Sequence, residues 1–209
     1  MKLLAGLYDP DEGAVLIGGR DLRSVPHARI RASLSVVMQH FGRYEVTAGE
    51  NIAFGDWERL QDRPDLVRDI ARRTGVAELV DALPQGFETA VGRSFGVRDF
   101  SGGEWQRVAL ARGFARQAPI LVLDEPTAAL DAHSELELYR TFAGLARGRT
   151  TILISHRFST IGMADRIAVL DAGRIVEVGT HDELLASGGE YAELYRLHTR
   201  WMREGRTLE

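Results

Sequence analysis

The run Ile120-Leu121-Val122-Leu123 constrains this chain more than any other feature of its sequence. A strand with water on one face alternates apolar and polar side chains. An unbroken apolar run this short predicts instead a strand buried on both faces, as in a parallel sheet covered by helices. Thr150 to Ile154 predicts a second buried strand and Leu34 to Met38 a third. Helical patterns fall between them, at about Gly103 to Arg116 and Ala132 to Leu145. Strands alternating with helices in this way predict an α/β fold: a mostly parallel sheet core flanked by helices.

The remaining segments fit around that core. Lys2 to Leu7 has the pattern of a helix end without a start. Ala14 to Ile17 is a short apolar strand closed by Gly18-Gly19, and Pro26 to Ser33 a short helix with proline near its first position. From about Glu50 to Gln85 the chain is charged and helical, with apolar residues at Leu66, Ile70, Val76, Leu79, Val80 and Leu83 and no strand pattern. This predicts a helical sub-domain inserted into the core. Toward the C-terminus, Ile167 to Leu170 and Arg174 to Val178 flank Asp171-Ala172-Gly173 as a hairpin. Thr180 and Glu183 have the spacing of a capping box.

Composition excludes several classes. The 209 residues hold 26 basic and 30 acidic side chains, a net charge of −4, which gives no reason to expect nucleic acid as a partner. There is no cysteine, hence no disulfide, thiolate metal site or cysteine nucleophile. No apolar run approaches the ~18 residues that a membrane span needs. The opening apolar stretch is too short for a signal peptide and runs at once into Asp9, Asp11 and Glu12.

Asp124 and Glu125 end the apolar strand and precede Pro126. Ligands of open parallel sheets sit beyond such strand ends. Two adjacent carboxylates there must stay solvated or meet a cation. One role is to hold Mg²⁺ through water while the other carboxylate polarises an attacking water; the alternative is a strand ending in a charged turn. Ser101-Gly102-Gly103-Glu104 is a capping box, and the same geometry makes an anion site from exposed N–H groups and a serine hydroxyl. His156 and Gln39 each follow a predicted strand, on the same expected edge.

Each piece is ambiguous, but their order is not. Gln39, then Phe100-Ser101-Gly102-Gly103-Glu104-Trp105-Gln106-Arg107, then Ile120 through Asp131, then His156 resembles the nucleotide-binding domain of ATP-binding-cassette (ABC) proteins across essentially the whole chain. Glu50-Asn51-Ile52, Gly179 to Leu185 and Gly189 to Leu194 resemble the exporter branch. The resemblance implies a P-loop-NTPase-like core at residues 1–47 and 111–209. It places the helical sub-domain, with the signature loop, at about 48–110. It implies ATP and Mg²⁺ as ligands, Asp124 and Gln39 near the metal, and Glu125 and His156 as catalytic. Ser101, Gly102, Gly103 and Asp131 would meet the nucleotide held by an opposing domain. Glu104 stands where glutamine is commoner and puts a carboxylate near an anionic ligand. The implied partners are a second nucleotide-binding domain and a transmembrane domain that docks beside the Gln39–Glu50 loop. Together these would hold the chain at the cytoplasmic face of a membrane.

The family's P-loop, Gly-x-x-x-x-Gly-Lys-Ser/Thr, does not occur in this sequence, whose single lysine is Lys2. The adenine-stacking aromatic and the first strands are also missing. The resemblance thus implies a domain cut short at its amino end: the ATPase domain of an exporter extending upstream, or a non-catalytic module that lends its signature loop to a complete partner, or a fragment without function. On either of the last two readings, an open sheet edge predicts aggregation. A chromosome-maintenance or repair ATPase would need a coiled coil between Gln39 and Ser101, and no heptads occur there.

Overall fold

The computed structural model describes residues 2–92, 94, 99–127, 138 and 141–204. The chain divides into two compact units, Met1–Ile154 and Ser155–Glu209.

The first unit is built on three parallel strands in the order β1–β2–β3, namely Leu34–Val37, Ile120–Asp124 and Thr150–Ile154. Val37 pairs with Leu123, Leu123 with Leu153, and Asp124 with Ile154. The central strand β2 is buried on both faces, as its sequence requires. Leu121 and Leu123 pack with Leu110, Phe114 and Phe142, while Val122 points the other way into Leu22, Ile30 and Leu34. The outer strand β3 differs from its prediction. Ile152 and Ile154 are 36% and 39% exposed, because among the described residues nothing pairs beyond this strand. Helix α1 (His27–Ser33) precedes β1, and a two-residue hairpin, Leu16–Ile17 with Arg20–Asp21, turns at Gly18-Gly19. Residues 2–7 form consecutive turns. Gly6 takes a left-handed φ of 65°, Leu7 N–H donates to Lys2 O and Gly6 N–H to Leu3 O, the bonding with which helices end.

Between β1 and β2 the chain is helical: α2 (Ala48–Ala53), α3 (Trp57–Leu60), α4 (Pro64–Arg73), α5 (Ala77–Asp81) and α6 (Gly102–Ala115). In α4, Val67, Ile70 and Ala71 are buried at helical spacing, and Pro64 occupies the first turn, where its missing N–H costs nothing. These residues join Ile52, Leu60, Val76, Val80, Trp105 and Val108 in one apolar cluster. The helix expected over Ala132 to Leu145 lies mostly outside the described residues.

Helix α6 is buried nearly all round, with nine buried residues from Trp105 to Ala115. Its seat on β1 is close: a Cβ on Gly113 would overlap Val37, and Ser35 Oγ donates to Gly113 O. A Cβ on Gly55, in the turn after α2, would overlap the carbonyl of Arg112.

The second unit holds the expected hairpin, β4 (Ile167–Asp171) with β5 (Arg174–Gly179), turning through Ala172 and Gly173 at φ 43° and 77°. Helices α7 (Phe158–Ile161), α8 (His181–Ser187) and α9 (Glu190–Glu204) accompany it. Ile167, Leu184 and Tyr191 form its core, and the Glu177 carboxylate accepts from Glu190 N–H and Tyr191 N–H at the start of α9. The capping box of α8 is present in both directions between Thr180 and Glu183. Replacing Thr180 with alanine is expected to cost about 1 kcal/mol, read by urea unfolding followed by circular dichroism. An unchanged unfolding curve would contradict that role. Among the described residues no helix is long and apolar enough to cross a membrane.

Candidate functional site

Parallel register puts the ends of β1 and β2 side by side. Gln39 lies two residues beyond Val37, and Glu125 two beyond Leu123, its paired residue. The two side chains therefore meet, and Gln39 Nε2 donates to Glu125 Oε2 at 2.6 Å. A carboxylate acceptor makes such a hydrogen bond charge-assisted. Asp124, the last residue of β2, is half-buried next to this pair.

The backbone of Glu125 is unusual. Its φ is 45°, left-handed for a residue with a side chain, which costs on the order of 1–2 kcal/mol. Contacts from other elements hold it there. Glu125 N–H donates to Ile154 O at 2.9 Å, and its carbonyl accepts from Gln106 Nε2 of α6 at 3.3 Å. Gln106 is buried and was not foreseen as a site residue. The available signal was its place in a helix buried on most sides, where a polar side chain needs a partner.

Ser101 is the N-cap of α6. Its Oγ accepts from Glu104 N–H at 3.3 Å, and Glu104 Oε2 accepts from Ser101 N–H at 2.7 Å. The Glu104 carboxylate thus turns back onto the cap. The box leaves the N–H groups of Gly102 and Gly103 at the first turn of a 14-residue helix, where the dipole favours an anion. Among the described residues no atom outside the local chain lies within 4 Å of a Cβ placed on Gly102.

The loop after Gln39 is tied to α6 by Arg112. Its guanidinium donates to Gly42 O, Asn51 O and Asn51 Oδ1, each at 2.8 Å, and lies over the Tyr44 ring at 4.4 Å. Burial lowers its pKa, and Tyr44 opposes that shift. Asn51 completes the loop by donating from Nδ2 to Tyr44 O and Thr47 O. Neither Arg112 nor Asn51 was singled out from the sequence as a site residue.

Of the anticipated residues, Gln39, Asp124 and Glu125 share one edge of the sheet, and Ser101, Gly102 and Gly103 form the start of α6. His156 is exposed and belongs to the second unit. Asp131 lies outside the described residues.

The parallel sheet, the helical cluster inserted between its first two strands and the strand-end acids are the architecture of an ABC nucleotide-binding domain. A solved structure described as a bacterial Atm1-family ABC exporter with ATP bound superposes with a TM-score of 0.85 at 41% identity, over 94% of this chain and 34% of that one. The family model described as ABC transporter matches residues 1–128, and the chain belongs to that family. Its relatives include an ATP-dependent lipid A-core flippase of Alkalilimnicola ehrlichii, 44% identical over 94% of this chain and 33% of the relative. ABC transporter B family member 28 of Arabidopsis thaliana is 40% identical over 93% of this chain and 27% of that protein. The chain spans about a third of the length of the flippase relatives it matches.

Proposed function

We propose that this chain serves in the ATP-hydrolysing domain of an ABC exporter, where hydrolysis drives transport across a membrane. The observation that carries the reading is the Gln39–Glu125 contact at the carboxyl edge of the parallel sheet. In this reading residues 1–47 and 111–209 form the core and about 48–110 the helical sub-domain. Glu125 accepts a hydrogen bond from the attacking water and orients it. Gln39 keeps the carboxylate aimed and offers its amide oxygen. His156 donates to a phosphate oxygen.

Asp124 and the Gln39 amide supply oxygen donors of the kind Mg²⁺ takes. Mg²⁺ commonly keeps several waters and is held by one or two protein groups together with substrate phosphates, a role these donors fit. When bound, Mg²⁺ would neutralise charge building on the phosphate oxygens. Ser101, Gly102, Gly103 and Asp131 act on nucleotide held by a second nucleotide-binding domain. A transmembrane domain is the other partner, and it keeps the chain at the cytoplasmic face.

A second reading is favoured by one observation: these 209 residues contain no Gly-x-x-x-x-Gly-Lys-Ser/Thr. By themselves they would then lend their signature loop to a complete partner rather than turn over ATP.

One experiment addresses both readings. Alone, the chain is expected to bind Mg·ATP more weakly than ~1 mM, since the P-loop lysine and cradle supply most phosphate contacts. Mixed with a complete ABC exporter domain whose own signature serine and glycines are disabled, it is expected to restore ATP turnover. Ser101→Arg in this chain is expected to remove that rescue. Micromolar binding by the chain alone would sink the second reading. Absence of any rescue, with the partner's nucleotide binding intact, would sink the assignment of Ser101, Gly102 and Gly103.

A further inference from the structure

We propose that Gln106 is a positioning residue for Glu125, joining the Ser101–Gly103 end of α6 to the strand-end carboxylate. The proposal builds on the role given to Glu125 above. Among the described residues, three elements grip Glu125. Strand β3 takes its N–H through Ile154 O at 2.9 Å. The loop after β1 takes its carboxylate through Gln39 Nε2 at 2.6 Å. Helix α6 takes its carbonyl through Gln106 Nε2 at 3.3 Å. The grips at N–H and carbonyl fix both peptide planes around a left-handed φ of 45°. Pro126 follows, and a residue before proline is steered away from the right-handed helical region. The direction of the Glu125 side chain is therefore set by where its two peptide groups are held.

Gln106 is suited to that task. It is 3% exposed, so its amide is shielded from competing water. It sits five residues past the N-cap Ser101, which is ~7.5 Å along the helix axis at 1.5 Å per residue. No loop intervenes. The capping box closes one end of this stretch, and the close seat of Gly113 on Val37 fixes the other. An anion drawn to the N–H groups of Gly102 and Gly103 would pull on the first turns of α6, ahead of the seat at Gly113. Gln106 would carry that pull to the Glu125 carbonyl, and so to the contact with Gln39.

The alternative is that Gln106 only satisfies a buried carbonyl and supports the fold. The side-chain amide of Gln39 separates the two. In the ¹⁵N-labelled full 209-residue chain, its NH₂ resonances report the hydrogen bond to Glu125 Oε2. Gln106→Met keeps the volume and removes the donor. It is expected to move those resonances to free-glutamine positions and to speed exchange of the Glu125 amide proton roughly tenfold. Val108→Ala, a cavity in the fully buried part of α6, is the control for destabilisation. It is expected to lower the unfolding midpoint at least as much and leave the Gln39 signal in place.

If Gln106→Met does not fold, Gln106→Glu, which replaces the donor by an acceptor, is expected to give the same displacement. The proposal is overturned if the Gln39 signal survives both Gln106 variants, if Val108→Ala moves it equally, or if the unaltered chain shows free-glutamine positions. No nucleotide enters these spectra. Absence of any rescue by the unaltered chain would sink the assignment of Ser101, Gly102 and Gly103 and leave this result standing, and the reverse also holds.

Discussion

Replacing Arg112 with methionine is expected to lower the stability of the first unit by about 3 kcal/mol, measured by urea denaturation. Three oxygen acceptors, Gly42 O, Asn51 O and Asn51 Oδ1, lose their donor in one step. Unsatisfied polar groups removed from water cost about 1–3 kcal/mol each, and water returning to the half-buried site offsets part of the sum. The stacked Tyr44 ring loses a further ~0.5–1 kcal/mol. Arg112→Lys is expected to recover less than half, because an ammonium keeps the charge but not the planar fork that spans Gly42 and Asn51. A loss below about 1 kcal/mol for the methionine variant would show that the loop holds itself and that the guanidinium is incidental.

Gly55→Ala is expected to cost about 2–3 kcal/mol for a different reason. A methyl group there would occupy the space of the Arg112 carbonyl and also crowd Ala115. The obstacle is helix backbone rather than a flexible side chain, so α2 and α6 must separate. That separation stretches the Arg112 bonds to Asn51. The two substitutions are therefore expected to be non-additive in a double-mutant cycle, with the double variant less damaged than the sum. Additive costs would mean that the two contacts act independently.

Much of the architecture was legible because it is written locally. Ile120 to Leu123 announced a strand covered on both faces, and Leu121, Val122 and Leu123 are divided between two apolar clusters as that pattern demands. The capping boxes at Ser101–Glu104 and Thr180–Glu183 and the turn at Gly173 depend on neighbours within three or four residues. Strand β3 was misjudged in burial, since Thr150 to Ile154 is apolar enough for a central strand but stands at the side of the sheet. Composition reports what a strand tolerates, not where it lies.

The site divided in the same way. Gln39 and Glu125 were picked from motif order, and their meeting follows from parallel register. Gln106 and Arg112 escaped notice because their partners are far off in sequence and are mostly carbonyl oxygens, which leave no trace in residue identity. Glu104 shows two readings meeting at one residue. Its place in the motif puts a carboxylate near an anionic ligand, and its spacing from Ser101 makes the capping box in which it accepts from Ser101 N–H.

The bare flank of Thr150–Ile154 also governs how the isolated chain behaves in the test tube. Among the described residues no strand pairs beyond Thr150–Ile154, and such an edge beside two exposed isoleucines is a template on which another extended segment can grow. Self-association of the 209 residues should therefore steepen with concentration and be relieved by a short strand-forming peptide that occupies the flank.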